Sequence, residues 1–413
     1  YDSYPNFAYC LIEDPKHSDD LNDRKWSRNL TEVRSICPHF GIMEQQSGAN
    51  GWNTRMEAPA PKPGQMMLWA MQSIAHGADY VSFFRWRTAT MGTEIYWHGI
   101  LDYDNRDNRK LAEVHRIWNR TKAISEIAGA DYQSAFAMVR DYDNIWDSQV
   151  DVWHSRLAKK SEKEIFVASQ INHTPMDVVY LLDSTEAEEL LKYPVLIYPH
   201  ALILNEKRAE LLKVYVEAGG CLIIGSRTGQ KEINGKCVMT PMPGLLSNVS
   251  ASDVKEFTFV GPADDTVTMK WNEKEIDTGL FNDILATTSL EAKILAKYEN
   301  NYYEGRPALV ETPCGKGKVL HFGGTFTREN VKELLSYTGV LEPYADLAEI
   351  PECCELAVRE KEGRKYLFIL NYSDEPQHIV LEQPVMDMDT KDEVQGSVTL
   401  KEYETKVYRI YEI

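Results

Sequence analysis

Apolar and polar positions along the chain fall into three successive patterns. Over the first 130 residues, short apolar runs alternate with stretches of helical spacing. Phe40, Ile42 and Met43 suit a buried strand, Gly41 would let another backbone come close, and the run ends in a carboxylate at Glu44. Ahead of it, Ser18, Asp19 and Asp20 offer caps to a helix carrying Leu21, Trp26, Leu30 and Val33. A Pro-rich loop at 58–64 leads into an apolar helix over 65–76 that Gly77 ends. A buried strand from Ala78 then runs into Arg85, Trp86 and Arg87, and a helix over 108–127 carries Leu111, Val114, Ile117, Trp118 and Ile124. Residues 1–6 read as the tail of a strand. Each unit has the size of a β/α repeat whose strand ends in polar groups. Three such units cannot close an eight-stranded barrel, which takes about 250 residues. The stretch is therefore the last third of a (β/α)8 barrel or an open sheet, and the abrupt start favours the barrel.

From about Ser134 the pattern changes phase. A strand at 135–139 precedes a helix through 163–171, and 193–199 is a fully apolar strand. Asn205 caps a helix with Leu211, Leu212, Val214 and Val216, which Gly219-Gly220 closes before a strand at 221–225. Residues 318–324 and 329–337 add a last strand and helix, after an irregular stretch of turns and short strands at 226–315. This is a second α/β layer of flavodoxin-like character. The last ~70 residues show no helical spacing. Strands at 355–360, 364–371, 377–381 and 406–411, with turns at Glu362-Gly363 and Asp374-Glu375-Pro376, predict a small antiparallel β-sandwich. The expected division is 1–130, 131–342 and 343–413, within the two to four domains that 413 residues imply.

Composition narrows the function classes. A net charge of −18 argues against a phosphate-backbone partner, and no apolar run of 18 or more residues could span a membrane. The seven cysteines (Cys10, Cys37, Cys221, Cys237, Cys314, Cys353 and Cys354) are odd in number and scattered, with no C-x-x-C pair. They point to a reducing compartment and no zinc finger; the expectation is a cytoplasmic protein with no metal site and no cofactor.

The candidate chemistry gathers at three strand ends. Asp2 and Tyr4 lie at the first, Glu44 and Trp52 at the second, and Arg85, Trp86 and Arg87 at the third, with Glu94, Trp97 and His98 just beyond. A Glu at the carboxyl end of a parallel strand sits where α/β folds place their chemistry. Acids, arginines and indoles on one rim suit a polyhydroxylated substrate, since hydroxyls take charged partners and a sugar face stacks on Trp. Plainer readings stay open beside this one. Glu44 could serve only to accept turn N–H groups, Arg85 and Arg87 could be structural ion pairs, and Trp86 and Trp97 could be ordinary packing. Asp102 and Asp104 read as a helix lead-in.

The runs Met43-Glu44-Gln45-Gln46-Ser47-Gly48 with Gly51-Trp52, Ala75-His76-Gly77-Ala78-Asp79, Phe84-Arg85-Trp86-Arg87, Gly92-Thr93-Glu94 and His98-Gly99-Ile100-Leu101-Asp102 resemble glycoside hydrolase family 42. Asp2-Ser3-Tyr4-Pro5-Asn6 fits the same pattern. The resemblance implies a (β/α)8 barrel, a flavodoxin-like trimerisation domain and a small C-terminal β-domain. It also implies a retaining β-galactosidase that cleaves terminal β-galactosyl residues from oligosaccharides. Glu44 matches the nucleophile on the seventh barrel strand, Trp52 the tryptophan lining the galactose subsite, and Glu94 the acid that holds sugar hydroxyls. The family often has a His three residues after that Glu. Trp97 takes that place here and His98 follows it, so both join Arg85 as substrate-binding candidates.

The family's general acid, a Glu after Asn at the end of the fourth strand, finds no match. The Asn-Glu pairs here are Asn205-Glu206 and Asn272-Glu273, both in the second domain. The family's optional cysteine-built zinc cluster has no match either. The expectation is a C-terminal part of a longer enzyme, inactive by itself. The alternatives are a truncated galactoside-binding or scaffold protein, and an α-L-arabinopyranosidase, whose substrate lacks only the exocyclic CH2OH. The second domain also resembles the class I glutamine amidotransferase fold, which needs a Cys at a strand-to-helix elbow with a His partner. Cys221 instead starts a strand and His200 has no Cys beside it, so that domain is expected to make homotrimer contacts.

Overall fold

The computed structural model describes residues 1–6, 22–54 and 56–411. The chain forms two compact units, 1–133 with 342–413, and 134–341. The predicted caps at 18–20 lie outside the described residues.

The first unit begins with β1 (Asp2–Ser3), α1 (Trp26–Ile36), β2 (Phe40–Gln46), the short β3 (Asn50–Trp52) and β4 (Met56–Ala58), α2 (Gln65–Ala75), β5 (Ala78–Phe84), α3 (Arg109–Ala123) and β6 (Asp131–Tyr132). Strands β1, β2 and β5 make a parallel sheet in that order, with Asp2 opposite Glu44 and Phe40 opposite Ala78. Ile42 packs with Leu30 of α1 and with Ala78. Met43 points the other way and is exposed rather than buried, because successive side chains of a strand alternate faces. At Gly41 the close neighbour is not a backbone but the Tyr80 ring, 2.2 Å from where a Cβ would stand. Helix α2 is buried on nearly every side, as a helix apolar all round must be.

The second unit runs through β7 (Phe136–Arg140), α4 (Tyr142–Val150), α5 (Val152–Ile171), β8 (Met176–Tyr180), β9 (Val195–Tyr198), α6 (Glu206–Ala218), β10 (Cys221–Ile224), β11 (Ser252–Phe259), β12 (Thr268–Trp271), β13 (Lys274–Asp277), β14 (Phe281–Thr287), β15 (Lys293–Tyr298), β16 (Pro307–Cys314), β17 (Gly317–Phe322) and α7 (Arg328–Thr338). Its main sheet is ordered β13-β12-β15-β16-β17-β10-β9-β7-β8. The five parallel strands, β8-β7-β9-β10-β17, follow the 2-1-3-4-5 order of a doubly wound sheet. The region 226–315 extends that sheet with antiparallel β16, β15, β12 and β13 and adds the separate pair β11–β14. Asn205 caps α6 by accepting from the Arg208 N–H at 2.8 Å, and Gly219 closes it at φ 128°. The helix expected through 163–171 starts earlier, at the Asp151 cap, and is preceded by α4, capped by Asp141.

The chain returns to the first unit with β18 (Ala348–Glu349), β19 (Cys354–Lys361), β20 (Arg364–Asn371), β21 (Gln377–Asp387), β22 (Glu393–Leu400) and β23 (Thr405–Ile410). These strands belong to one antiparallel sheet, β18-β21-β23-β20-β19-β6 with β22 on β21, and not to the two stacked sheets of the expected sandwich. A register shift in β21 between Leu381 and Val385 lets that strand pair with three neighbours. Helix α2 packs on this sheet: Met66, Trp69 and Met71 share a core with Ala357, Phe368 and Val407. No helix among the described residues is long and apolar enough to cross a membrane.

Candidate active site

Strand β2 carries Glu44 toward the carboxyl edge of the parallel sheet. There the Tyr4 hydroxyl donates to Glu44 Oε2 at 2.6 Å. The Tyr4 ring meets Trp97 edge-on at 5.1 Å and 82°, and Trp97 lies against Trp52 at 4.9 Å, tilted by 44°. Trp97 is buried, whereas Trp52 is half-buried, so Trp52 is the ring left open beside the acid. Burial, followed by the hydrogen bond to Glu44 and its charge, holds the Tyr4 hydroxyl well above its ordinary pKa. It therefore remains a donor to the carboxylate.

Close backbone packing fixes these groups. Gly48 and Gly99 are needed for it: a Cβ on Gly48 would stand 2.7 Å from the His98 carbonyl oxygen, and one on Gly99 2.6 Å from that of Arg85. The His98 N–H donates to the Ala49 carbonyl at 2.8 Å, and Ser47 Oγ to the Phe84 carbonyl at 2.8 Å. Buried Gln46 accepts from the Asn6 N–H at 3.0 Å and donates to the Gly48 carbonyl at 3.0 Å. The Phe84–Arg85 peptide is cis.

The remaining candidates form two further groups. Arg85 lies over the Phe84 ring at 4.6 Å and pairs with Glu94. His98 Nδ1 is 3.4 Å from Asp102, which also takes the Lys110 ammonium at 3.0 Å. The group at Glu44 is the neutral Tyr4 hydroxyl, while Arg85 turns to Glu94, as the ion-pair reading has it, and Arg87 is exposed. One expectation needs correcting. Asp102 is not merely a helix lead-in but the charge partner of His98 and Lys110. Tyr4 is the candidate that residue-type reasoning undervalues: the register sets Asp2 opposite Glu44, and the Tyr4 side chain arrives beside the acid. In the second unit, burial pushes the Cys221 thiol up to about 12 and His200 down to about 3. His200 is engaged with Ser161 and the Ser226 carbonyl, so neither group is poised for nucleophilic chemistry.

A strand-end acid held by a hydroxyl donor beside an open indole is an arrangement suited to a sugar ring. Comparison with known proteins points the same way. Family models described as β-galactosidase, β-galactosidase trimerisation domain and β-galactosidase C-terminal domain match residues 1–124, 134–341 and 354–409. The β-galactosidase BgaA of Clostridium cellulovorans is 30% identical over 384 residues, covering 91% of this chain and 55% of that protein. The β-galactosidase LacZ of Heyndrickxia coagulans is 27% identical, covering 82% and 50%. Among solved structures, a family 42 β-galactosidase from G. stearothermophilus superposes with a TM-score of 0.86 at 23% identity, covering 100% of this chain and 59% of that one. That of Bacillus circulans sp. alkalophilus gives 0.84 at 22%, covering 99% and 59%. At such identities the likeness is one of fold. The chain belongs to the glycoside hydrolase family 42 β-galactosidases. It spans about half the length of the curated relatives it matches.

Proposed function

We propose that the chain carries the nucleophile half of a retaining β-galactosidase acting on terminal β-D-galactosyl residues by double displacement. Glu44 attacks the anomeric carbon, Trp52 stacks on the apolar face of the galactose with Trp97 behind it, and Glu94, set by Arg85, holds sugar hydroxyls. His98, oriented by Asp102, borders the same loop. Retaining chemistry needs a second carboxyl group about 5–5.5 Å away to protonate the leaving oxygen. The proposal assigns it to the half of the relatives' length that this chain does not span. Residues 1–130 then form the last strands of a (β/α)8 barrel, 131–342 a flavodoxin-like domain that assembles as a homotrimer, and 343–413 a β-domain. The exposed Met43 and Tyr80 on one face of the β1-β2-β5 sheet support the barrel reading, because parallel sheets are covered on both faces.

The observation that carries the proposal is the Tyr4–Glu44 hydrogen bond beside Trp97 and Trp52, in a chain of this family. The test exploits a leaving group that needs no acid. A dinitrophenyl 2-deoxy-2-fluoro-β-galactoside loses dinitrophenolate, which leaves unprotonated as the carboxylate bonds to the anomeric carbon, so the first displacement proceeds without the general acid. One fluorogalactosyl adduct is expected on Glu44, read by peptide mass spectrometry and lost in Glu44→Gln. An adduct on another carboxylate, or one that survives Glu44→Gln, refutes the assignment. Tight galactose binding with no adduct would instead favour a binding protein.

A further inference from the structure

Lys110 sits where a lysine costs stability. It is 8% exposed, and lysine is almost never buried unless paired. As the second residue of α3 it lies in the first turn, next to the Asn108 cap, where the helix dipole disfavours a cation. An apolar side chain of the same length would avoid both costs. The ammonium gains instead two bonds to the stretch that carries the sugar-binding candidates, donating to the Gly99 carbonyl at 2.7 Å and to Asp102 Oδ1 at 3.0 Å. The helix end is fixed for that reach. Asn108 accepts from the Lys110 and Leu111 N–H groups at 2.9 and 3.0 Å and donates to the Ile100 carbonyl at 2.9 Å.

Both bonds bear on His98. Gly99 follows it in the chain and is clamped from the far side, since the Ile100 and Leu101 N–H groups donate to the Arg85 and Trp86 carbonyls at 2.7 and 2.8 Å. Asp102 Oδ1 is also the oxygen that lies 3.4 Å from His98 Nδ1. A carboxylate only accepts, so Nδ1–H donates to it, and Nε2 of the neutral ring is left as an acceptor. Lys110 matches the Asp102 charge, so the carboxylate orients the ring without leaving a net charge beside it. The Tyr103 ring covers another side of the imidazole, 5.5 Å away at 69°. With 22% of its side chain open, and its N–H tied to Ala49 in the loop that follows Glu44, His98 is held in one orientation.

We propose that Lys110 is a positioning residue of the sugar site: it fixes Asp102 and the Gly99 peptide, and through them presents the His98 imidazole to a hydroxyl of the bound galactosyl ring. The inference rests on the galactosidase reading above and adds to it a residue that acts only through another. Its effect falls on sugar binding rather than on the bond that Glu44 forms, because Glu44 takes its orientation from Tyr4.

The kinetics of fluorogalactoside labelling of residues 1–413 test it, since they separate KI, for sugar binding, from kinact, for the bond-forming step. Lys110→Met should raise KI about 3- to 10-fold, the worth of one hydrogen bond, and leave kinact within about twofold. His98→Ala should do the same, and Lys110→Met added to it should change KI by less than about twofold, because residues that act as one unit do not add. Lys110→Arg, which keeps the charge, should lose less than Lys110→Met. Asp102→Ala, at a side chain 45% exposed, cuts the same link without touching the buried position and should reproduce the rise, so a Lys110→Met chain that fails to fold does not stop the test. A wild-type chain that takes no label on Glu44 overturns the galactosidase reading and this inference with it. A labelled wild type whose KI is unchanged in Asp102→Ala, or for which Lys110→Met and His98→Ala add in full, overturns only the role of Lys110.

Discussion

Asp283 makes the stability of the second unit depend on pH in a direction opposite to that of an ordinary paired carboxylate. It is fully buried on β14. Oδ2 accepts the Arg227 N–H at 2.7 Å, and Oδ1 has no partner among the described residues. Burial dominates, only partly offset by the Arg227 N–H and charge, and raises the carboxyl from 3.8 to about 7. Because the folded value lies above the unfolded one, the folded state holds a proton that the unfolded state releases between about pH 4 and 7. Stability falls as pH rises through that window, and the loss is complete above about 7. At 1.36 kcal/mol per unit the full loss is about 4 kcal/mol. Asp283→Asn cannot ionise and keeps an acceptor for Arg227, but its NH2 group enters a site with no acceptor, costing about 1–3 kcal/mol. The substitution should therefore destabilise at pH 4 and stabilise at pH 8. The difference between those two effects, about 4 kcal/mol, does not depend on the NH2 penalty.

The assay is urea unfolding of wild type and variant from pH 4 to 8.5, with hydrogen exchange of peptides from 134–341 as the readout, since a chain of two units need not unfold in one step. Groups that titrate alike in both proteins cancel in the difference. A variant effect constant to within about 1 kcal/mol across the range would mean that Asp283 is ionised and compensated in the fold, and the reasoning would fail.

Three other outcomes follow from the geometry. Arg359, fully buried, donates twice to the Ala130 carbonyl and also to those of Ile74 and Ala78, and pairs with Asp79 at 3.0 Å. Arg359→Met should cost about 3–5 kcal/mol, seen as earlier exchange in peptides of 1–133 and 342–413 but not of 134–341. Tyr4→Phe keeps the ring against Trp97 but removes the donor to Glu44, and should slow fluorosugar labelling of Glu44 about 10- to 100-fold, the worth of a hydrogen bond to a charged group. Gly225→Ala would set a Cβ 1.9 Å from the Pro199 carbonyl oxygen, which is backbone and cannot move aside. It should cost about 3 kcal/mol or more by thermal unfolding, whereas Gly41→Ala, facing the exposed Tyr80 ring, should cost about 1 kcal/mol or less.

What the chain reveals on its face depends on whether a pattern is local. The strands at 195–198 and 221–224 are legible because a parallel strand buried on both faces is an unbroken apolar run. The Asn205 cap and Gly219 are legible because capping is local chemistry. Helix α4 is not, since Tyr142, Trp146 and Val150 recur at helical spacing but face water, so its pattern is inverted relative to a core helix. Strand β22 hides for a related reason: its side chains are mostly exposed or half-buried and Gly396 interrupts it. The single sheet of the C-terminal region depends on a register shift in β21, and the ties of Arg359 reach residues more than 200 positions away. Neither leaves a local trace. At the site, strand-end position and the paired indoles are readable, but which cation meets which acid is decided by side-chain reach.

That last point separates the two carboxylates. Glu94 faces the Arg85 guanidinium, whereas Glu44 faces a hydroxyl. An acid that only holds sugar hydroxyls can share its charge with a cation, because it remains an acceptor throughout. A nucleophile must develop a covalent bond through one oxygen, and a bidentate cation would hold both oxygens and lower their reactivity. Tyr4 engages Oε2 alone, and its raised pKa keeps its proton in place while the neighbouring charge is consumed. Under the proposed reading, Oε1 is thus the attacking atom and the Tyr4 bond fixes its direction. The local electrostatics, independently of any family pattern, thus support the proposed division of roles, with Glu44 as nucleophile and Glu94 as the binding acid.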